Sequence, residues 1–179
     1  PIMVIIPLLG IPGDVWGIPV QNLIIIAIFA IASYTDHLDG KIARKCNLVT
    51  TFGKFADPLA DKILVLSAML MLVEMDYLPA WIPIIVLARE FVVSCYRLVA
   101  VEKGGKVIAA SIWGKIKTCT QMIAIILAFL DLNNFGAFIS GNLTGYSLVI
   151  NVLSSSLMLI STIAAVFSGV DYLKGGKEL

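Results

Sequence analysis

The chain has 179 residues, 59% of them hydrophobic and only 14% charged, with a net charge of +1. Soluble domains carry about 25% charged residues, so a mean hydropathy of +0.97 excludes an ordinary water-soluble enzyme and points to the membrane class. The near-neutral balance gives no argument for nucleic acid as a partner, and the length suits a single membrane domain over 1–179.

Apolar runs bounded by turn residues predict six helices, all of them α. The first run, Pro1 to Leu9, is shorter than the roughly 20 residues a bilayer core requires, so the expectation is that the start of a first membrane helix is absent from this chain. The turn-rich "GIPGDVWGIP" follows. A second helix begins near Val20 and continues through "NLIIIAIFAIAS" into an Asp-rich stretch. The third is expected over Phe55 to Met75, the fourth over Ala80 to Val101, the fifth over Ser111 to Leu130 and the last over Tyr146 to Phe167, with "DYLP", "EKGGK" and "DLNNFGAFISGNLTG" between them. Cys46, Cys95 and Cys119 show no paired spacing and read as free thiols.

The positions of the thirteen Lys and Arg residues orient these helices. Gly10–Pro19, Glu74–Pro79 and Asp131–Gly145 contain none, so the positive-inside tendency puts the Asp-rich stretch, the "EKGGK" turn and the C-terminus in the cytoplasm. Some charges lie within helices. Arg89 and Glu90 interrupt the fourth, Arg97 lies two turns on, and Lys115 and Lys117 sit early in the fifth. A charge at the bilayer centre costs at least about 2.5–3.5 kcal/mol on insertion scales, so such residues normally line an enclosed polar cavity. The plainer alternative is a local ion pair with snorkelling lysines.

The densest charge lies in "TDHLDGKIARKCNLVTTFGKFADPLADK", which contains Asp36, Asp39, Asp57 and Asp61. Helical spacing puts positions 36, 39, 40 and 43 in one stripe, and positions 57 and 61 one turn apart on the next helix. Two carboxylates about 4 Å apart repel by about 4 kcal/mol at an effective dielectric of 20, so a cleft holding four requires positive compensation. An all-oxygen donor set points to Mg²⁺ or Mn²⁺, and four carboxylates suffice for two such ions. Paired divalent ions serve phosphoryl transfer by clamping the attacking and leaving oxygens. Gly40 and Ala43 would let a bulky group approach the backbone, and Arg44 suits a phosphate oxygen. The bland alternative makes the aspartates helix caps paired with Lys41, Lys45, Lys54 and Lys62.

The ordered set D-x2-D-G-x2-A-R-x8-G-x3-D-x3-D, filled by Asp36, Asp39, Gly40, Ala43, Arg44, Gly53, Asp57 and Asp61, resembles the signature of the CDP-alcohol phosphatidyltransferase family at every defined position. "FGKFADPLADK", "AREFVVSCYR" and "GKIKTCTQM" are similar to the family's bacterial phosphatidylglycerophosphate synthases. The resemblance implies a bundle of six transmembrane helices with a cytosol-facing polar cavity, in a homodimer of the bacterial cytoplasmic membrane. It implies two divalent cations on Asp36, Asp39 and Asp57, with Asp61 as general base and further metal contact. Asp36, Asp39, Gly40, Ala43, Arg44, Gly53 and Asp57 would bind the CDP moiety. Arg89, Arg97, Lys115 and Lys117 are candidates for the phosphate of the acceptor alcohol. The implied reaction moves a phosphatidyl group from CDP-diacylglycerol to sn-glycerol 3-phosphate. The "L-T-x-x-R" segment that such proteins generally carry ahead of their first helix has no counterpart here.

A cardiolipin synthase of the same fold, taking phosphatidylglycerol as acceptor, is the nearest alternative, and "DPLADK" does not separate the two. Intramembrane prenyltransferases also use paired aspartates, but in a larger bundle with widely separated motifs. A transporter would call for midplane carboxylates and repeated halves. His37, "NLT" at Asn142 and "KGGK" at 103–106 are expected to carry no chemistry.

Overall fold

A computed structural model describes residues 2–45, 51–102 and 112–175; within these helices the side chains of 2, 36–37, 39–45, 51–61, 97–102 and 174–175 are outside the description. The chain divides into two compact units, 1–75 and 76–179. Among the described residues it is an α protein with six α-helices and one small hairpin.

In the first unit, α1 (Ile2–Leu8) leads into a hairpin of β1 (Asp14–Val15) and β2 (Ile18–Pro19). Asp14 pairs with Pro19 and Val15 with Ile18 in antiparallel register. The two linking residues, Trp16 and Gly17, both have positive φ, +56° and +80°. That is the requirement of a type I′ turn, whose twist matches that of paired strands. Strands of two residues are too short to announce themselves by alternation, so the sequence shows only a turn.

From there α2 runs unbroken over Val20–Lys45, and α3 over Thr51–Glu74. Ile25 and Phe29 on α2, Ala68, Met69 and Leu72 on α3, and Met3 and Ile6 on α1 are all buried. Their spacings of three and four residues give each helix one apolar stripe, and α1, α2 and α3 pack pairwise on those stripes.

The second unit consists of α4 (Trp81–Glu102), α5 (Ile112–Asp131), a 3-10 turn (Ala137–Ser140) and α6 (Gly145–Gly175). Both α5 and the segment Gly145–Leu173 of α6 are long and apolar enough to cross a bilayer, with mean hydropathies of 1.3 and 2.0. Helix α6 packs most extensively on α5 and also against α4. The buried face of α6 carries Asn151, Ser154, Ser155, Ser161, Thr162, Ala165 and Ser168, a run of small residues. Small side chains let two apolar helices approach closely where lipid gives no hydrophobic drive. A buried hydroxyl without a partner is costly. Ser161 and Thr162 avoid this by donating back to the Met158 carbonyl, at 2.9 and 2.8 Å.

The polar segment after α5 is anchored as well. Asp131, only 6% exposed, accepts hydrogen bonds from Asn133 Nδ2 (3.1 Å), Asn151 Nδ2 (2.8 Å) and Ser154 Oγ (2.6 Å). Asn151 Oδ1 accepts from the Phe138 amide, and Ser155 Oγ from the Gly136 amide. The sequence marks 131–145 as a polar loop, and the fold ties that loop to α6.

Candidate active site

All eight positions of the Asp-rich pattern lie on one helix pair. Asp36, Asp39, Gly40, Ala43 and Arg44 occupy the last turns of α2; Gly53, Asp57 and Asp61 occupy the first turns of α3. Helix α2 continues without a break through Lys45, so positions 36, 39, 40 and 43 keep the three- and four-residue offsets that define a stripe. Positions 57 and 61 keep theirs on α3, against which α2 packs. The side chains of all eight lie outside the described residues. The donor set itself fits a hard divalent cation: four carboxylates in two closely spaced pairs, with oxygen as the only ligand type.

The four cations expected at the acceptor phosphate are distributed differently. Arg97 is on α4, with its side chain outside the described residues, and Lys115 on α5 is exposed. Arg89 of α4 and Lys117 of α5 converge. Arg89 Nη1 lies 2.7 Å and Lys117 Nζ 2.8 Å from the same oxygen, Glu90 Oε1. The Arg89, Glu90 and Lys117 side chains are 12%, 17% and 8% exposed, so this is a largely desolvated triad. Arg89 Nη2 also donates to Ser168 Oγ, bringing in α6.

Two glycines flank the Arg89 side chain. A Cβ on Gly169 would stand 3.5 Å from Arg89 Cγ, and one on Gly114 3.4 Å from Arg89 Nη2. The Arg89 side chain therefore passes between a glycine of α6 and a glycine of α5. Next to those positions, Trp113 and Phe167 stack with ring centroids 5.3 Å apart, pinning the start of α5 to the end of α6. On the α4–α6 side, Arg89 is the charged member, among the described residues, of the set with Ile85, Ala88, Val92, Val166 and their neighbours that lines an open groove of about 260 Å³.

Two cations share this one carboxylate among the described residues. Among the described residues, Glu90 is the carboxylate that contacts either cation, and Arg89 Nε is buried without an acceptor. A burial of this kind normally demands full pairing. Two cations held on one carboxylate oxygen suit an anion with several acceptor oxygens, such as a phosphate. Glu90 and Ser168 are the members that spacing could not reveal: 27 residues separate Glu90 from Lys117, and 79 separate Arg89 from Ser168. The one available signal was an acidic residue beside an arginine in an apolar helix. Cys95 and Cys119 are free and exposed, and Cys46 lies outside the described residues.

Comparison with known proteins agrees with the motif. The model of the CDP-alcohol phosphatidyltransferase family matches residues 2–167, and the chain belongs to that family, whose members are membrane proteins that use a divalent metal. It is 53% identical over 109 residues to the CDP-diacylglycerol–glycerol-3-phosphate 3-phosphatidyltransferase of Bacillus subtilis, an alignment covering 61% of this chain and 56% of that protein. It is 40% identical over 147 residues to a probable phosphatidylglycerophosphate synthase of Mycobacterium tuberculosis, covering 82% of this chain and 63% of that protein. The identity to the Haemophilus influenzae CDP-diacylglycerol–glycerol-3-phosphate 3-phosphatidyltransferase is 36% over 154 residues, covering 84% and 75%. The chain thus spans less than two thirds of the length of the first two relatives.

Proposed function

We infer that this protein transfers the phosphatidyl group of CDP-diacylglycerol to sn-glycerol 3-phosphate, giving phosphatidylglycerol phosphate and CMP. The observation that carries this reading is the complete eight-position motif on the packed α2–α3 pair, in a chain whose matched relatives are named for this reaction. The chain would work as a single membrane domain of six spans with a cytosol-facing polar cavity, in a bacterial inner membrane. The active form is a homodimer.

Asp36, Asp39 and Asp57 would hold two divalent cations, Mg²⁺ or Mn²⁺, with Asp61 in reach of one. Bound there, the ions supply positive charge against the diphosphate and the departing CMP. Gly40, Ala43 and Gly53 leave the backbone open to the cytidine nucleotide, and Arg44 neutralises a phosphate oxygen. Asp61 takes the proton from the 1-hydroxyl of glycerol phosphate as that oxygen attacks the phosphorus bearing the diacylglycerol. The P–O bond to CMP breaks in the same displacement. Arg89 and Lys117, with Arg97 and Lys115, receive the phosphate of the acceptor. Two cations on one carboxylate favour a phosphorylated alcohol over a neutral one.

The test is CMP release by purified protein given CDP-diacylglycerol and Mg²⁺, with and without glycerol 3-phosphate. Release should require the acceptor, disappear on chelation and return with Mg²⁺ or Mn²⁺. In Asp61→Asn it should fall by at least about 10²-fold, the usual scale for losing a general base. Release driven by phosphatidylglycerol and not by glycerol phosphate would replace this reading with a cardiolipin synthase. Release from no alcohol at all would overturn it.

A further inference from the structure

We propose that Glu90 is a positioning residue, one that fixes Arg89 and Lys117 as a two-pronged receptor for the acceptor's phosphate. This deepens the reading above and rests on its assignment of those two cations to the acceptor. Glu90 itself touches no substrate.

The geometry carries the argument. Both cations bond one oxygen, at 2.7 and 2.8 Å, so their nitrogens lie no more than about 5.5 Å apart. At charge-assisted bond lengths of about 2.7–2.9 Å, both can reach one phosphate group. Glu90 takes one N–H from each cation and Ser168 takes one from Arg89. An arginine has five donors and a lysine three, so the two bonds to Glu90 and the one to Ser168 leave further N–H groups on both side chains. Glu90 is therefore placed to aim the cations without using them up. A lysine on its flexible stem is a poor anion receptor until something fixes it, and Lys117 rises from α5 while Arg89 rises from α4. The shared carboxylate oxygen is the feature that brings the two to one place. Among the described residues the cations of this cluster outnumber its carboxylate by two to one, which favours an incoming phosphate.

The competing view is that Glu90 only balances charge so that two cations tolerate burial. Glu90→Asp separates the two ideas, because it keeps the charge and pulls the carboxylate back by one methylene. The experiment measures KM for glycerol 3-phosphate, KM for CDP-diacylglycerol, kcat and thermal unfolding of the full detergent-solubilised chain, for wild type, Glu90→Asp and Glu90→Gln. In Glu90→Asp, unfolding should stay near wild type. Its KM for glycerol phosphate should rise about tenfold or more, the loss of one well-aligned charged hydrogen bond, and its KM for CDP-diacylglycerol should not move. Glu90→Gln should show the same split, more strongly. Should Glu90→Gln fail to fold, Glu90→Asp decides alone. A wild-type KM for glycerol phosphate in Glu90→Asp overturns the proposal and leaves a charge-balancing role. A lowered KM in Glu90→Gln overturns it too, since Glu90 would then compete with the substrate for the cations. Wild-type protein that ignores glycerol phosphate would instead sink the underlying functional reading.

Discussion

Helix α5 carries two buried ionic clusters near its opposite ends, and they are built on opposite plans. At the Asp131 end, one carboxylate accepts from three neutral donors on the following loop and α6. Each donor has a second acceptor as well: Asn133 the Asp131 carbonyl, Asn151 the Asn134 carbonyl, and Ser154 the Asn151 carbonyl. That network is closed. It even offsets the cost of a negative charge on the last residue of a helix, where the macrodipole disfavours it by about 0.3–1 kcal/mol. At the Lys117 end, two cations share one carboxylate among the described residues, and Arg89 Nε is buried without an acceptor. That network is open. A closed buried network serves stability and a single well-defined packing. An open one is stable enough to exist and has valence left for a ligand.

The contrast yields crossed expectations, with the largest effect at the closed end. Asp131→Ala removes the shared acceptor of three charge-assisted bonds and should cost about 2–4 kcal/mol of stability, given about 1.5–3 kcal/mol per bond to a charged group and the fallback acceptors. The variant that still folds should keep its KM for glycerol phosphate. Chemical or thermal unfolding in detergent, followed by kinetics on the folded fraction, checks both halves. A stable Asp131→Ala protein with impaired acceptor binding would reverse the assignment of the two clusters.

Lys117→Met should do the converse. It leaves the Arg89–Glu90 pair intact and neutral, and it replaces a buried cation with an apolar chain of similar length. Removing one partner of a buried ion pair is costly where it strands the other charge; here Glu90 keeps Arg89 as its partner, so unfolding should move by less than about 1 kcal/mol. The KM for glycerol phosphate should rise about tenfold, equivalent to about 1.4 kcal/mol of lost binding. Salt should matter less in this variant than in wild type, because one of the charges that attracts the anion is gone. A third substitution grades the closed end: Asp131→Asn keeps the shape and some of the acceptors, and its cost should shrink to about 1 kcal/mol, the worth of a neutral hydrogen bond.

The same contrast marks what the sequence could disclose. The helices are legible because most of the apolar runs are bounded by Pro- or Gly-containing turns, and their expected and observed limits differ by few residues outside the C-terminal end of α6. The Asp-rich motif was legible because its residues lie within two adjacent helices, where spacing alone sets which positions share a face. The convergence of Arg89, Glu90, Lys117 and Ser168 was not, because it depends on the rotation of three helices that no local pattern reports. The cost of charge in an apolar helix singles out Arg89 and Lys117, and Lys115 equally. The fold brings Lys117 to Glu90 and leaves Lys115 exposed. The Asp131 clamp was hidden for the same reason: Asn151 and Ser154 look like ordinary small polar residues of an apolar helix until the preceding loop folds onto them.

The smallest effects separate the stem of Arg89 from its fork. Gly169 faces the stem: an added Cβ would meet Arg89 Cγ at 3.5 Å, an ordinary van der Waals contact. Gly169→Ala should therefore pack without moving the guanidinium. It should also recover part of the roughly 1 kcal/mol by which alanine exceeds glycine inside a helix. The expected result is a protein more stable by about 0.5 kcal/mol with an unchanged KM for glycerol phosphate. Gly114 faces the fork: its Cβ would meet Arg89 Nη2 at 3.4 Å and Ser168 Oγ at 3.7 Å, the two atoms that share a hydrogen bond. Gly114→Ala should bring the same gain in helix propensity, but its methyl would lie against the polar atoms of the Arg89–Ser168 hydrogen bond and not against a methylene, raising that KM by at most about twofold, a shift of about 0.4 kcal/mol. If the two alanines behaved alike in the kinetic assay, the orientation of the Arg89 fork would be immaterial to acceptor binding, and the open cluster would act through its charge alone.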